Sequence, residues 1–375
     1  MTKDQTIKPD LEFKQRILGL GAHDLTYCYQ CGTCSVVCPI STELLPFPRK
    51  QMVHVQWGLK DRLMADPSVW LCHQCSTCNA YCPRDAKPAN VMAALRDYSI
   101  THYAVPRFMG VAVNHPKYLP LLFALPVLIL LAVLALLGHL SAVPEGPVVF
   151  SKFFPVRVIE IVFTSAVGLA VLAAIASGMR YLRAIETQRI EGAPLERRGI
   201  AETLQLIFSH EQFQACTNRA PGARRSFKDH MHGTHMAVFY GFLGLVVTTA
   251  SVGIGIYAFD YLTPWPLWHP VKILGNLSGL AVIVALSIFA SRRLLDQEKA
   301  GKSTYSDWLF LSLLGFTALT GFLSEITRLA AFESAYWVYF VHLVFIFCLL
   351  VYLPYSKLAH LVYRFVAMLY SPRRG

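Results

Sequence analysis

The sequence predicts an all-α chain in two parts, a small soluble helical domain followed by a bundle of six membrane-spanning helices. Three observations carry this. Residues 1–105 are ordinary in polarity, whereas the chain turns strongly apolar beyond Tyr118, so that 54% of its 375 residues are hydrophobic. Six stretches in that second part are long enough to cross a bilayer, which takes about 20 predominantly apolar residues. Lysine and arginine gather in alternate connections between those stretches, the charge bias of a multi-pass protein.

The soluble part, residues 1–105, has helix-like apolar spacing over Leu11–Leu20 and Leu44–Met64. It begins with a polar stretch, Met1–Asp10, that has no secretory signal, so this part is expected in a reducing cytoplasm. Its chemistry lies in two cysteine runs. Cys28, Cys31, Cys34 and Cys38 precede Pro39, and Cys72, Cys75, Cys78 and Cys82 precede Pro83. Each reads C-x2-C-x2-C-x3-C-P, the run that wraps cubane iron–sulfur clusters, with the fourth cysteine turned to the other cluster. Cys28, Cys31, Cys34 and Cys82 are therefore expected to hold one [4Fe–4S] cluster, and Cys72, Cys75, Cys78 and Cys38 a second. Zinc wants a single tetrahedral set and has no use for two three-plus-one runs. Disulfides do not suit a reducing compartment. Cys216 and Cys348 stand alone and read as helix-packing thiols.

A linker, residues 106–117, is punctuated by Pro106 and Pro116 and leads into the membrane part, residues 118–375. The expected spans are Tyr118–Leu140, Pro155–Ala176, His235–Phe259, Val271–Ser291, Asp307–Leu329 and Tyr336–Leu353. Basic residues mark the connection Arg180–Lys228 (Arg189, Arg219, Arg224 and Arg225 among them), then Arg292, Arg293, Lys299 and Lys302, then Lys357, Arg364, Arg373 and Arg374. The positive-inside rule puts both termini and these connections in the cytoplasm. The net charge of +11 is thus explained by topology; no basic run has the context of a nucleic-acid reader. Ile200–Phe213, before Ala220-Pro221-Gly222, is amphipathic and reads as a helix on the membrane surface or the cluster domain.

Ionisable side chains inside a membrane default to functional hypotheses. His342 and His360 are eighteen residues apart, so on a continuous helix they share a face about 27 Å apart along the axis. Two b haems stacked across the membrane need ligands so placed, with partners from a second helix. His235, opening the third span at the depth of His360, is the expected partner there, and Gly241 and Gly244 leave room for a flat macrocycle. His232 is a substitute if the register slips; its neighbour His230 reads as interfacial. For His342 the candidates are His269 and His139, with His269 preferred because it immediately precedes a core span. Glu325 and Arg328, i and i+3 on one face, are candidate proton-handling groups or a helix-end salt bridge. His210 and His73 carry no distinct signal, except that His73 could tune a cluster by hydrogen bonding.

The run Trp70-Leu71-Cys72-His73-Gln74-Cys75 resembles the iron–sulfur protein of heterodisulfide reductases, their C component. Phe340-Val341-His342-Leu343-Val344, Leu353-Pro354-Tyr355-Ser356-Lys357-Leu358-Ala359-His360 and His235-Met236-Ala237-Val238-Phe239-Tyr240-Gly241-Phe242 resemble the cytochrome b component of those enzymes and the gamma chain of nitrate reductase. A fusion in this order is similar to the membrane component of quinone-interacting membrane-bound oxidoreductases. The resemblance implies a helical ferredoxin-like domain joined to a dihaem cytochrome b bundle, with two b haems and a menaquinone site. It also implies flavin-containing, heterodisulfide-reductase-A-like partners, and exchange with adenylylsulfate reductase. The chain itself holds no glycine fingerprint placed to bind a flavin, so it reads as an electron-transfer subunit with no catalytic residue of its own. It departs from the nitrate reductase pattern at Leu245, where a second histidine would fall on the third span.

Overall fold

The computed structural model describes residues 8–43, 45–140, 144, 146–188, 197–210, 231–261, 263–295 and 302–370. Cys216, His230, Arg189, Arg219, Arg224, Arg225, Lys228, Lys299, Arg373, Arg374 and the Ala220-Pro221-Gly222 turn lie outside them, as do residues 211–213 at the end of the amphipathic stretch. The described residues form helices and turns with no strand.

In the first part, α1 (Leu11–Ile17) starts where the Asp10 carboxylate accepts from the Phe13 amide at 2.8 Å, satisfying a donor that the helix cannot. Each cysteine run then closes on one turn of helix, α2 (Thr33–Val36) and, later, α6 (Thr77–Ala80). Between the runs, the apolar stretch Leu44–Met64 is broken into α3 (Arg49–Gln56) and α4 (Lys60–Met64), and α5 (Ser68–Leu71) leads straight into Cys72. The break falls at Gly58, whose φ is +66°; its carbonyl accepts from the Asp10 amide at 2.9 Å, and a Cβ there would meet the Asp10 carbonyl oxygen at 2.7 Å. Gly58→Ala is expected to destabilise the domain by at least about 1 kcal/mol, from strain at positive φ added to that clash, read as a lowered melting temperature. α7 (Pro88–Tyr103) runs through the core of this part, and Pro in its first turn needs no amide partner.

α8 (Arg107–Val113) links to the apolar part, which contains α9 (Leu119–Leu136), α10 (Phe150–Phe153), α11 (Val156–Thr187), α12 (Ile200–Ser209), α13 (Met231–Phe259), α14 (Pro270–Leu295), α15 (Tyr305–Leu329), α16 (Ala335–Val351) and α17 (His360–Leu369). Five of these, α9, α11, α13, α14 and α15, are long and apolar enough to cross a membrane, so the chain is a multi-pass membrane protein. The sixth expected span falls on α16, an apolar helix of 17 residues. It stops before Pro354, whose ring bars the preceding residue from helical geometry. Consequently the helix does not run on to His360. Two tight turns, Leu353–Tyr355 and Lys357–Ala359, intervene, and His360 opens a separate helix rather than sharing a face with His342.

Gly241 and Gly244 also act otherwise than the sequence suggested. A Cβ on Gly241 would lie 2.8 Å from Val282, and one on Gly244 would overlap Ser278, so both glycines let α13 press against α14 instead of opening space. Contacts at the helix ends fix the alternation. His139 reaches Phe153, and Lys272 meets Glu325, at one end of the bundle. At the other, Arg293 meets Asp307, and the Tyr352 hydroxyl donates to the Leu122 carbonyl at 2.6 Å. This second end faces the cysteine-bearing part, so Arg180, Arg293 and Lys357 all lie on its side.

The two parts meet closely. α17 follows the last apolar helix in sequence, yet its Tyr363, Val366, Ala367 and Met368 pack with Trp70, Leu71 and Cys72, and with Tyr181 and Ile185 of α11, in one buried core. Beside it, Lys357 pairs with the buried Asp97 of α7 and, at 3.4 Å, with Asp307 of α15. The Arg180 guanidinium donates to the Ala104 carbonyl at 3.1 Å, and the Val105 amide to Ser177 at 3.1 Å.

Candidate functional site

Local backbone geometry shapes both cysteine runs alike. Gln30 and Gly32 flank Cys31 with φ of 63° and 84°, and Gln74 and Ser76 flank Cys75 with φ of 54° and 61°. Three of these four are not glycine, and a left-handed residue of that kind persists only where its surroundings impose it. The alternation wraps each loop round a hollow. One hollow, of about 350 Å³, is lined by Cys28, Cys31 and Cys34 together with Cys82. The other, of about 370 Å³, is lined by Cys72, Cys75 and Cys78 together with Cys38. The structure thus brings the eight cysteines together in the crossed three-plus-one sets that the spacing suggests.

Donors converge on the sulfurs. The Gln74 amide donates to Cys72 Sγ at 3.4 Å, the Ala86 amide to Cys82 Sγ at 3.3 Å and Gln30 Nε2 to Cys28 Sγ at 3.4 Å. The Thr33 and Thr77 hydroxyls sit 3.5 and 3.4 Å from Cys31 and Cys75. Arg49 and Arg84 line the first cradle. Such hydrogen bonds and cations suit a net-negative thiolate-ligated cube and tune its potential. Burial pushes the Cys34 and Cys38 thiols up to about 11 and Cys78 higher still, whereas the Thr33 hydroxyl draws the exposed Cys31 down. Iron binding must therefore displace protons from buried thiols. The nine described cysteines are all free, and no three His, Cys, Asp or Glu side chains among the described residues converge tightly enough to share one metal ion.

The second cradle is held from two sides. Arg96 of α7 donates to the Cys72 carbonyl at 3.2 Å and to the Gln74 side chain. Arg364 of α17 donates through Nη2 to His73 Nδ1 at 2.8 Å. Two residues before Cys72, Trp70 stacks on Tyr363 with ring centres 4.9 Å apart.

A third hollow, of about 610 Å³, lies between α12, α13 and α17. Its polar lining is His210, His235, His360 and Arg364, and its apolar walls include Phe239, Leu361 and Phe365. His235 enters from the first turns of α13 and His360 from the first residue of α17, so the expected pair does share a cavity. His360 Nδ1 lies 2.7 Å from the Lys357 carbonyl, which can only accept, so this nitrogen carries the proton and Nε2 keeps its lone pair. Burial holds the His360 imidazole down to about 4, neutral at physiological pH. A third ring joins them: His210 stands 5.3 Å from His235, centre to centre, and 5.0 Å from Phe239. Sequence reasoning gave His210 no signal; the clue was its place at the end of an amphipathic helix with a face to bury. His232 lies 6.3 Å from His210 and does not line the hollow.

The remaining histidines are not gathered. His342 Nδ1 lies 3.1 Å from Thr320 Oγ1 and its ring packs on Gly321, both on α15. His269 accepts from the Val271 amide at 3.3 Å at the start of α14 and packs on Trp265. α15 packs against both α14 and α16, and so stands between the two. His139 is bound to the Phe153 carbonyl at 2.7 Å. Glu325 pairs with Lys272 of α14 at 3.0 Å, across helices rather than along its own.

Comparison with known proteins matches both parts. Residues 24–86 match the 4Fe-4S dicluster domain. The C subunit of the H(2):CoB-CoM heterodisulfide,ferredoxin reductase from Methanothermobacter thermautotrophicus is 38% identical over 89 residues, 24% of this chain and 48% of that protein. A protein of Archaeoglobus profundus that is like the C subunit of heterodisulfide reductase is 38% identical over 87 residues, 23% of this chain and 46% of that one. The chain thus spans about half the length of these curated relatives. Citrate utilization protein B of Escherichia coli is 29% identical over 302 residues, 76% of this chain and 75% of that protein. No solved structure matches. An iron–sulfur dicluster domain of the heterodisulfide-reductase-C type is fused here to a multi-pass membrane part, which makes the chain a membrane-associated electron-transfer subunit. Residues 113–373 match the citrate utilization protein B model, and the chain belongs to that family.

Proposed function

We propose that this chain carries electrons between menaquinone or menaquinol in the membrane and soluble partners, through a b haem and two [4Fe–4S] clusters. The observation that carries the reading is the hollow shared by His235 and His360, built on the same helix that packs against the second cysteine cradle. His235 and His360 would hold the haem iron, a neutral imidazole with a free Nε2 being the ligand form required. The Lys357 carbonyl, by accepting the His360 Nδ1 proton, fixes that tautomer and the ring's orientation. Arg364 supplies a cation for acidic substituents of the macrocycle, and Phe239, Leu361 and Phe365 exclude water. When bound, haem iron cycles by single electrons and so connects two-electron quinol chemistry to one-electron clusters. The N-terminus, cluster domain and C-terminus face the cytoplasm in this reading, in line with the basic residues on that side.

The partners are a separate matter. The sequence resemblance points to flavin-containing, heterodisulfide-reductase-A-like proteins, and through them to adenylylsulfate reductase. The family match over residues 113–373 favours a different soluble partner, a flavin enzyme that oxidises an organic acid. Co-purification of the tagged chain from native membranes separates the two.

Anaerobic optical titration of the detergent-solubilised protein with a menaquinol analogue tests the wire. Haem bands in the wild-type protein are expected to be reduced by the quinol and reoxidised by an added oxidant. His360→Ala is expected to abolish those bands while leaving iron and acid-labile sulfide unchanged. Failure of wild-type protein to bind haem sinks the reading.

A further inference from the structure

The two cysteine cradles are alike in sequence, and nothing in their spacing says which lies nearer the membrane part. The structure distinguishes them through α17. This helix lines the histidine hollow with His360, Leu361, Arg364 and Phe365, and packs its buried face on Trp70, Leu71 and Cys72 at the entrance to the second cradle. Arg364 belongs to both places at once. Its guanidinium forms part of the hollow's wall, and its Nη2 donates to His73, the residue after Cys72, at 2.8 Å. Arginine is donor-only and always charged, so it sits as a fixed cation between the two sites, and His73 Nδ1 can only accept from it. The first cradle shares no wall with the hollow and opens outward: Cys31 is exposed and Tyr29 is 72% exposed.

We infer that electrons pass between the histidine hollow and the cradle of Cys72, Cys75, Cys78 and Cys38, that Arg364 and His73 are the positioning residues of that step, and that the cradle of Cys28, Cys31, Cys34 and Cys82 is the outer terminus. The inference rests on the haem proposed above. The step moves one electron from ferrous haem, which becomes ferric, to the oxidised cluster, which is reduced by one. No bond forms or breaks, and Arg364 keeps its protons. Its charge lowers the energy of the extra electron at either end, and its bond to His73 sets the cluster loop against α17.

The test uses the full-length chain in detergent, with iron, sulfide and haem quantified per chain before each measurement. Electron paramagnetic resonance of the partly reduced protein is recorded for wild type, Arg364→Gln, Arg364→Lys and His73→Gln. One cluster signal should shift in both Arg364→Gln and His73→Gln, and that same signal should relax fastest beside ferric haem. The haem-to-cluster rate should fall about 10- to 100-fold in Arg364→Gln, the usual range for outer-shell partners, and recover partly in Arg364→Lys. Should Arg364→Gln lose its cofactors, His73→Gln, which keeps the cation, identifies the signal alone. If the fast-relaxing signal is one that His73→Gln leaves unmoved, the order of the cradles is overturned and the haem reading stands. If wild-type protein holds no haem, the function proposed above falls and this inference with it.

Discussion

Cys38→Ser is expected to empty the cradle formed mainly by the other cysteine run. Cys38 belongs by sequence to the first run, yet it lines the hollow of Cys72, Cys75 and Cys78. Loss of one thiolate from a four-thiolate cube removes about half the iron of a two-cluster chain, and the cluster lost should be the second. Cys82→Ser should show the reverse and leave the signal that His73→Gln displaces. If each run were self-contained, Cys38→Ser would instead spare that signal. Iron and labile sulfide per chain, with paramagnetic resonance of what remains, decide between these outcomes. The consequence for stability is unequal. Cys72 sits in the core with Trp70 and Tyr363, so loss of the second cluster loosens the junction between the two parts, whereas loss of the first affects an open rim.

Lys357→Met is expected to be among the most damaging substitutions outside the cofactor sites. Asp97 is 5% exposed and Asp307 14%, and Lys357 is paired with both, with Arg293 adding a second cation to Asp307 at 3.2 Å. Removing one partner of a buried pair leaves an uncompensated charge and costs about 3–5 kcal/mol. The pH dependence gives the loss a signature. Burial raises the Asp97 carboxyl above 3.8, and Lys357 only partly offsets it. A carboxyl whose folded value is raised contributes stability that is present below pH 3.8 and is lost as pH rises through the folded value. Without Lys357 the shift grows, so the variant's melting temperature should fall more steeply than the wild type's from about pH 4 upward. Asp97→Asn in the Lys357→Met background should flatten that slope and restore most of the stability. A slope equal to that of wild type would mean that Asp97 is hydrated.

Much of the site was legible because its ligands are local. Three cysteines per loop can be read from spacing, and the crossing of the fourth follows from the proline after it. His235 and His360 were matched by depth, a property that span boundaries supply. What failed depended on non-local packing. His342 and His269 lie toward the same end of the bundle, but only the helix order shows α15 between them. The assumption of a continuous helix to His360 ignored what Pro354 does to its neighbour. Gly241 and Gly244 read equally well as room for a ligand or room for a helix, and α14 fills that room. His210 escaped because its own helix is polar on one face and gives no hint of which partner covers the other. Leu44–Met64 kept a helical pattern across Gly58, since apolar periodicity does not register a single left-handed residue.

The placement of α17 has a consequence for how the molecule is made. The core beside Cys72 takes Tyr363, Val366, Ala367 and Met368 from near the end of the described chain, after all five spanning helices. A ribosome therefore releases the cysteine runs long before the surface that seats the second of them exists. The outer cradle can mature while synthesis continues. The inner one waits for the last helix to leave the exit tunnel and fold back. Metal loading at that site thus reports on complete insertion, and a chain truncated before His360 carries its second run of thiols unshielded, an identifiable defect for whatever machinery disposes of unfinished membrane proteins.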